Sequence, residues 1–402
     1  MIDKIISKIP TSKFTQTVFI DRTLRLSLLF FLVVMGSVGV KAQEQADSVV
    51  DENFVIASVI VADPGDKLYS AGGHVGLRME CPDHHLDYVF TYESEDVSNK
   101  IFSFLAGKLK MGMFAIPFEE YLSNYRSEGR GVRQYALNLP IDVKRNLWRV
   151  LDDHLSEGVN LPYDYLNRGC ANTVVSILKE SLGATPIEFG AWPESFSRFT
   201  RRELVENQMQ EYPWSRCFLH LVGNGCLDDD CSNEEKVILP SDLVFVLQHA
   251  TVNGRQLLSD NGKVLLPSNY HPKAHWCTPL VVAIVLLLLT IVCIYFKSSI
   301  MHYVLLTIQS VIGIVTTYLI FFSSLVCTEW SWLIIPFNPL PLLFWKWRRK
   351  WCLPYAVMIA VWVLVMWLWP HKLTDTSFTV LALALVISYL NIYMSNKKTL
   401  KK

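Results

Sequence analysis

Two short segments of the sequence carry residues that are suited to thiol chemistry. His74 follows a pair of glycines at the start of a predicted strand, and Cys170 follows Gly169 where a turn leads into a predicted helix. Acyl transfer to a thiol requires a base that takes the proton and a sulfur whose thiolate is stabilised, for example by a helix N-terminus. The sequence therefore predicts that His74 is the general base and Cys170 the nucleophile of one site.

Each of these residues also has a structural interpretation. A cysteine at the start of a helix is more often a small buried apolar residue than a nucleophile. A histidine after two glycines is by itself a weak indication of catalysis. The combination favours catalysis, because the glycines beside both residues permit close approach of a substrate.

The elements that must position the two residues follow from apolar periodicity. Alternating or continuous apolar residues predict strands at 54–62, 74–80, 87–93 and 132–139. Residues 101–125 are predicted to mix helix and loop, and helical spacing predicts helices from 140 to about 155 and from Cys170 to Gly183. The predicted fold class is therefore α+β, with an antiparallel sheet on which the cysteine-bearing helix packs.

A third polar group should hold the His74 imidazole in one tautomer. Antiparallel pairing of the second and third predicted strands places His74 opposite Tyr92 or Glu93. Glu93 is therefore the first candidate for this role, and Thr91 is the second.

Candidate substrate contacts lie on the same part of the chain. Arg78 shares a strand face with His74 and is a candidate for binding a lipid phosphate, with a solvated strand position as the alternative. Tyr69 and Ser70 lie in the turn before His74, where both packing and substrate binding are consistent with the sequence.

The composition indicates a membrane protein with a secreted part. Hydrophobic residues make up 51% of the 402 residues, the mean hydropathy is +0.27, and 18% of residues are charged. Soluble domains have roughly 25% charged residues. Two arginines and a 15-residue apolar run at 26–40 predict a secretory signal at residues 1–42 that is cleaved after Ala42. An uncleaved anchor helix is the alternative, although a membrane span needs about 20 residues.

Five apolar segments after residue 276 predict a transmembrane domain at 276–402. The segments are residues 277–296, 303–323, 327–345, 353–370 and 377–394. Basic residues cluster in alternate connections, and the positive-inside rule places these connections and the C-terminus in the cytoplasm. Residues 43–275 are then an extracytoplasmic catalytic domain at the cytoplasmic (inner) membrane of a bacterium. Three prolines between residues 336 and 341 are expected to break regular helix in the third segment.

The cysteines are consistent with an oxidising compartment. The predicted extracytoplasmic part has an odd number of cysteines, so one thiol stays free, and we assign that thiol to Cys170. Cys226 and Cys231 flank an acidic turn at 228–230 and are the predicted disulfide pair, with a solvated loop as the alternative. A metal site is disfavoured at this turn because no histidine is near and the spacing of a calcium loop is missing. The sequence therefore predicts no metal and no cofactor.

The charge balance gives no indication of nucleic-acid binding. The chain has 37 basic and 37 acidic residues, and this balance lacks the excess of positive charge that is typical of nucleic-acid-binding proteins. The predicted partners are membrane lipids and diacylglyceryl lipoproteins.

Several motifs resemble the Lnb N-terminal periplasmic domain family. They are residues 63–70, 72–74, 87–90 and 128–132, and Tyr163-Asp164-Tyr165 ahead of Cys170; Asn338-Pro339-Leu340 resembles the Lnb-like transmembrane domain. The resemblance implies a lipoprotein N-acyltransferase, which moves an acyl chain from a lipoprotein's own glyceryl group to its N-terminal cysteine amine. It also implies a permuted papain-like fold, similar to the lecithin-retinol acyltransferase group and to NlpC-type hydrolases. The chain departs from the family pattern at Gly169, where asparagine is usual, and has Asn167 and Asn172 nearby.

These observations lead to one hypothesis of function and two alternatives. In the hypothesis, a Cys170 thioester takes an acyl chain from the glyceryl ester of a lipoprotein or phospholipid and passes it to the N-terminal amine of a lipoprotein. The first alternative is an extracytoplasmic cysteine hydrolase, either a lipid deacylase or a cell-wall amidase or peptidase, which shares the dyad and differs in the acceptor. The second is a non-catalytic membrane sensor or binding protein. Five spans favour a lipid donor, because a cell-wall hydrolase needs at most one anchor.

Overall fold

The computed structural model describes residues 54–67, 70–95, 97, 99–259, 261–270, 276–369 and 373–399. The predicted secretory signal at 1–42 lies outside these residues. Within them the chain forms a mixed α+β part and a helical C-terminal part.

The strands of the α+β part form one large sheet and one small ribbon. The strands are β1 (Ile56–Ala62), β2 (His74–Cys81), β3 (Leu86–Ser94), β4 (Lys110–Pro117), β5 (Val132–Ala136), β6 (Leu161–Pro162), β7 (Thr251–Val252), β8 (Arg255–Gln256) and β9 (Lys263–Leu266). The sheet has the order β6-β4-β3-β2-β1-β5-β9 and is antiparallel at every pairing, while β7 pairs with β8. The predicted antiparallel α+β class is confirmed.

The sheet agrees with four predicted strands and includes three that the sequence did not indicate, namely β4 and the short edge strands β6 and β9. β1, β2, β3 and β5 lie within the four predicted segments or extend them by a residue. β4 lies in the region that was predicted to mix helix and loop. Gly112 inside β4 and Pro117 at its end weaken a strand pattern, but pairing along β3 from Ser94 to Tyr88 holds the segment extended.

In the part of the chain that the structure describes, eight α-helices precede the membrane part. They are α1 (Ile101–Leu105), α2 (Phe118–Glu128), α3 (Ile141–Ser156), α4 (Cys170–Leu182), α5 (Glu194–Arg198), α6 (Arg201–Gln208), α7 (Pro213–Val222) and α8 (Pro240–Gln248). α3 and α4 are the two predicted helices, and α4 begins at the cysteine as the sequence predicts.

The main core lies on one face of the sheet. Val75, Leu77 and Met79 of β2 are at most 1% exposed, and they pack in one cluster with Leu147 of α3 and Leu178 of α4. Burial of the apolar stripe of α4 determines how this helix lies on the sheet. The same packing brings the N-terminus of α4 to the end of the sheet where β2 begins.

α2 covers the opposite face of the sheet. Its residues Phe118, Tyr121 and Leu122 pack against Ile60 of β1 and Val89 of β3. Because both faces are covered, side chains at the start of β2 lie in a protected place between α2 and α4.

The membrane part contains α9 (Pro279–Tyr295), α10 (Ile300–Phe322), α11 (Leu340–Leu343), α12 (Arg348–Leu368) and α13 (Thr376–Thr399). Three stretches in the described residues are long and apolar enough to cross a membrane, namely Ile300–Phe322, Lys350–Leu368 and Thr376–Ser395. α9 is also apolar but has 17 residues. The count of five spans stays a prediction.

The third predicted span, residues 327–345, does not form a continuous helix. It contains the 3-10 turn Trp332–Ile334 and the four-residue helix α11, and it ends in a second 3-10 turn, Trp345–Trp347. The prolines at 336, 339 and 341 interrupt regular hydrogen bonding, as the sequence predicts.

This interrupted segment runs along α10 from the C-terminal to the N-terminal end of the helix. It begins after Phe322, the last residue of α10. Farther along, the Pro336 carbonyl accepts a hydrogen bond from Gln309 Nε2 at 2.9 Å. Near its end the Trp345 ring lies 5.8 Å from the Tyr303 ring, close to the start of α10.

Polar side chains satisfy the irregular backbone of this segment. The Asn338 amide donates to the Ile335 carbonyl at 3.0 Å and to the Tyr355 hydroxyl at 2.8 Å. Gly313 of α10 permits the close approach, because a Cβ there would lie 2.6 Å from the Asn338 Cα. Non-helical backbone at membrane depth is stable only when its polar groups are satisfied within the protein, and this segment meets that requirement.

Candidate active site

Cys170 is the first residue of α4. The preceding residue, Gly169, has an extended backbone with φ −66° and ψ 165°. The first N–H groups of a helix have no intrahelical partner, so the backbone around Cys170 favours an anion. The turn before it is held by Asp164, whose Oδ1 accepts hydrogen bonds from the N–H groups of Leu166 at 3.0 Å and Asn167 at 2.9 Å.

His74 is the first residue of β2 and follows a glycine that the backbone requires. Gly73 has φ +82°, and a Cβ there would lie 2.9 Å from the Ala62 carbonyl oxygen. The His74 side chain is 16% exposed. Its Nε2 lies 2.5 Å from Thr91 Oγ1 and 3.2 Å from Glu93 Oε1.

The strand register explains why both candidate orienting groups reach the imidazole. When the antiparallel β2–β3 register is continued, His74 stands opposite Glu93. Thr91 lies on the same strand face, and its hydroxyl donates to Glu93 at 3.4 Å. Tyr92 points to the other face, where its hydroxyl lies 2.7 Å from His154 Nδ1.

The Cys170 thiol lies within hydrogen-bonding reach of His74. Burial alone lowers the pKa of His74, but the Glu93 carboxylate and the side chains of Tyr125 and Cys170 outweigh it, so the pKa lies well above the usual 6.5. Burial raises the pKa of Glu93, but the charge of His74 and hydrogen bonds from His74 and Thr91 more than offset this, so the pKa is lowered. Both shifts favour an imidazolium–carboxylate pair beside the thiol.

These side chains open into a cavity of about 250 Å³. His74, Glu93 and Arg168 provide charged groups on its wall. The rest of the wall is largely apolar and includes Met111, Tyr163, Tyr165, Leu166, Val205, Met209, Leu219, Leu227, Ile238, Leu239 and Pro240. Thiol, imidazole and an apolar surface are thus combined at one place.

Sequence reasoning missed most of this wall. Arg168 and Tyr163 lie close to Cys170 in the chain, and their adjacency was the available signal. Val205 lies in α6, Met209 directly follows α6, and Leu219 lies in α7. These segments have no sequence feature that connects them with the cysteine.

Arg78 is engaged away from this cavity. Its guanidinium forms hydrogen bonds with both oxygens of Asp87, at 2.7 and 2.6 Å, and lies 2.6 Å from Glu80. The guanidinium also stacks on the Phe118 ring at 3.5 Å. Because two carboxylates and an aromatic ring contact its guanidinium, Arg78 joins β2, β3 and α2.

The two candidates in the preceding turn are placed differently. Ser70 is 4% exposed, and its hydroxyl donates to the Lys67 carbonyl at 3.1 Å, so it closes the turn itself. Tyr69 lies outside the described residues.

The asparagines near Gly169 are used by the loop. Asn167 Nδ2 donates to Asp164 at 3.0 Å, and Asn172 Nδ2 donates to the Leu166 carbonyl at 2.7 Å. Since both amide groups support the turn, the backbone N–H of Cys170 is the better candidate for binding an oxyanion.

The predicted disulfide is wrong in one partner. Cys226 is bonded to Cys327, with the Cα atoms 5.2 Å apart, and Cys231 is a free thiol. The sequence placed Cys327 in a membrane span, but it lies in the connection after α10, where the chain leaves the helix. The bond therefore links the α+β part to the membrane part.

The acidic turn beside Cys226 is occupied by an arginine. Arg202 donates to both oxygens of Asp228, at 2.8 Å from Nε and 2.8 Å from Nη2. Across the described residues, no group of three or more His, Cys, Asp or Glu side chains is arranged to hold a metal ion.

Comparison with protein families matches both parts of the chain. Residues 42–204 match the Lnb N-terminal periplasmic domain, and residues 271–399 match the Lnb transmembrane domain. The two matches together cover more than two thirds of the chain. The chain belongs to the Lnb family. The searches of curated proteins and of solved structures found no match.

Membership of the Lnb family makes the chain a membrane protein of lipoprotein processing and, in general terms, a lipoprotein-modifying enzyme. The periplasmic match and the apolar helices place it in the inner membrane with a periplasmic segment. The matched periplasmic domain contains both His74 and Cys170. The permuted papain-like fold stays a prediction.

Proposed function

We propose that this protein is a membrane-bound lipoprotein N-acyltransferase that works through a thioester at Cys170. The acyl donor is the glyceryl ester of a lipoprotein or phospholipid, and the acceptor is the N-terminal cysteine amine of a lipoprotein. The observation that carries the proposal is the Cys170 thiol beside the His74–Glu93 pair, in a cavity with a largely apolar wall.

In the first step the thiol proton of Cys170 passes to His74. The raised pKa of His74 favours the imidazolium that forms, and its positive charge and the α4 N-terminus favour the negative charge that develops on the attacking sulfur. Thr91 and Glu93 occupy Nε2, so we assign proton exchange with the substrate to Nδ1.

The thiolate attacks the ester carbonyl, and the Cys170 N–H stabilises the oxyanion of the tetrahedral intermediate. The carbon–oxygen bond then breaks, and the imidazolium donates its proton to the leaving glyceryl oxygen. The products of this step are an alcohol and an acyl thioester on Cys170.

In the second step the lipoprotein amine attacks the thioester carbonyl. The neutral His74 accepts the amine proton, the carbon–sulfur bond breaks, and an amide is released together with the free Cys170 thiolate. Glu93 stabilises the imidazolium that forms in each step, which is the role of the carboxylate in other Ser and Cys acyl enzymes.

The arrangement in the membrane follows from which ends of the helices contact the α+β part. Ser323 after α10 bonds to Leu105, and Asp375 before α13 pairs with Arg216 at 3.1 Å. These ends lie on the periplasmic side in our proposal. The basic residues around Lys297 and residues 346–350 belong to the opposite ends, in agreement with the positive-inside rule.

The interrupted segment along α10 completes this topology. Because it passes from the C-terminal to the N-terminal end of α10, it returns the chain to the cytoplasmic side without a continuous helix. We therefore propose five crossings and a cytoplasmic C-terminus, with the third crossing made by irregular chain.

Mass spectrometry of lipoprotein N-termini tests the proposal. Cells that lack the protein should produce lipoproteins without an N-acyl group, and the wild-type gene should restore it. Cys170→Ala should not restore it, whereas Cys231→Ala, which removes a different free thiol, should. N-acylation by the Cys170→Ala protein at the wild-type level would contradict the thiol mechanism.

The same experiment separates transfer from hydrolysis. A cysteine hydrolase has the same first step but gives the acyl group to water. Release of free fatty acid that depends on Cys170, without any N-acylated peptide, would assign the protein to the hydrolases.

A further inference from the structure

A second cavity, of about 110 Å³, adjoins the cavity of Cys170. Tyr163, Tyr165, Met209 and Leu219 line both cavities. Apart from Ser215 and the tyrosine hydroxyls, the wall of the second cavity is apolar. An apolar cavity therefore lies directly beside the thiol site, across a wall made of shared side chains.

The helices beside this cavity contact the ends of membrane helices. At α1, the Leu105 carbonyl accepts a hydrogen bond from the Ser323 hydroxyl, 2.6 Å away at the end of α10. At α7, Trp214 Nε1 donates to the Cys277 carbonyl at 2.8 Å, directly before α9. α1 and α7 are therefore held against the membrane part.

Exposed aromatic side chains indicate where the bilayer surface lies. Phe102 of α1 is 83% exposed, Trp214 of α7 is 51% exposed, and Phe322 at the end of α10 is 73% exposed. Aromatic residues concentrate at membrane–water interfaces. The cavity wall includes Phe104 of α1 and Phe218 of α7. Their rings lie 5.9 Å apart, between the two helices that carry Phe102 and Trp214.

The charged side chains line only the cavity that contains Cys170. Arg168, His74 and Glu93 line the Cys170 cavity, and none of them lines the second one. A molecule with one polar and one apolar end therefore fits the two spaces in a single orientation.

We propose that the second cavity binds the fatty acyl chain of the glyceryl ester that serves as acyl donor. The chain passes from the outer leaflet between α1 and α7, and its ester carbonyl reaches Cys170. This inference rests on the proposed function and adds the path of the donor. An acyl chain that leaves the bilayer must exchange contacts with lipid for apolar contacts with protein. Phe104, Phe218 and the four side chains that line both cavities provide these contacts.

Photo-crosslinking tests the path without requiring turnover. The full-length Cys170→Ala protein is reconstituted with a phosphatidylethanolamine that carries a diazirine near the end of one acyl chain. Crosslinked peptides should come from residues 209–222 and 163–165. Adding Ser215→Trp, which fills the cavity, should reduce this labelling by about tenfold, because a bulky ring replaces the space for the chain.

The matched control is Ser197→Trp, which places the same ring at an exposed position of α5. It should leave the labelling unchanged. Labelling that is confined to the lipid-exposed faces of α9, α10, α12 and α13, and that Ser215→Trp does not alter, would overturn the proposal.

Acyl-chain length provides the second measurement. Intact mass follows acylation of Cys170 by p-nitrophenyl butyrate and by p-nitrophenyl palmitate in detergent. Ser215→Trp should slow the palmitate reaction about tenfold and leave the butyrate reaction within about twofold, since the short chain does not extend into the second cavity. Equal slowing of both reactions would overturn the proposal.

The two measurements keep this inference distinct from the proposed function. If neither ester acylates Cys170 in the wild type, the thioester mechanism fails. The crosslinking result still decides whether an acyl chain occupies the cavity.

Discussion

Three histidine–carboxylate pairs lie outside the membrane spans in the described residues, and two of them, at His74 and His220, differ in what else contacts the imidazole ring. His74 lies 3.2 Å from Glu93 and is 16% exposed. His220 donates from Nε2 to Glu206 at 2.6 Å, its Nδ1 accepts from Arg202 at 3.3 Å, and its side chain is completely buried. Both nitrogens of His220 therefore have fixed partners, while His74 also contacts a thiol and a cavity.

The nearby cysteines differ in the same way. Cys170 is within reach of His74 and lines the cavity. Cys217 lies on α7 with His220, but its Sγ is 3.6 Å from the Ser377 hydroxyl, and burial raises its pKa to about 11. The comparison shows that a histidine–carboxylate pair is suited to catalysis only where a reactive atom and an accessible cavity adjoin the imidazole ring.

The largest expected effect separates the two thiols. Cys170→Ala should lower N-acylation by at least about 1,000-fold, because the nucleophile is lost, without changing the melting temperature by more than a few degrees. Cys217→Ala should retain activity, since its thiol stays protonated at neutral pH. Thiol alkylation followed by peptide mass spectrometry should modify Cys170 first. Preferential modification of Cys217 would reverse the comparison.

The next effect separates the two histidines. His74→Gln should reduce acylation of Cys170 by about 100- to 10,000-fold, since glutamine cannot exchange the proton. Its thermal stability should stay near the wild-type value. The measurement is the rate of thioester formation, followed by intact mass.

His220→Gln is the matched variant at the buried pair. It should lower the free energy of unfolding by about 3 kcal/mol, because it leaves Glu206 and Arg202 incompletely paired. The fraction that remains folded should acylate Cys170 at the normal rate. A folded His220→Gln protein with the catalytic loss of His74→Gln would remove the distinction between the pairs.

A smaller effect is expected at Glu93. Glu93→Gln removes a negative charge that raises the pKa of His74, so the imidazolium should lose its proton at lower pH. The upper limb of the pH–rate profile for thioester formation should move to lower pH, with the maximum reduced about tenfold. An unchanged upper limb would show that Glu93 does not act on His74.

The same linkage affects stability. His74 has a raised pKa in the folded protein, so its contribution is fully present below the ordinary value of 6.5 and is lost as pH rises through the folded pKa. Glu93→Gln should reduce the amount of stability that is lost as pH rises. Thermal unfolding at a series of pH values measures this change.

The smallest effect on activity is expected at the disulfide. Cys226→Ser should cost about 3–5 kcal/mol of stability, because the bond closes a loop with a sequence separation of 101 residues. Activity of the folded protein should remain within about twofold. Cys231→Ser, which alters a free thiol, should change neither quantity. Equal destabilisation by Cys226→Ser and by Cys231→Ser would favour the Cys226–Cys231 pairing that the sequence suggested.

Local patterns were sufficient for much of the α+β part. The alternation of Val75, Leu77 and Met79 predicts β2 and its buried face, and the helical spacing after Cys170 predicts α4. β4 could not be recognised, because its extended conformation depends on pairing with β3 and not on its own residues. The site was predictable where it depends on register, since Glu93 and Thr91 follow from pairing two adjacent strands.

Other features depended on segments that are far apart in the chain. The Cys226 partner is 101 residues away, and the sequence offered Cys231, five positions along the chain, as the nearer choice. The contacts of Arg78 with Asp87 and Phe118 could likewise not be read from the sequence, because they join three separate elements.

The sequence by itself determined the strands and helices that carry the two catalytic candidates, the candidates themselves and the family, because these depend on residue types and on spacing within short segments. The tertiary structure decided which histidine meets a thiol, which cysteines are bonded, and which residues of α6 and α7 line the acyl cavity. These features arise where distant segments pack against one another, and the chemistry of each side chain there depends on burial and neighbours that no local pattern contains.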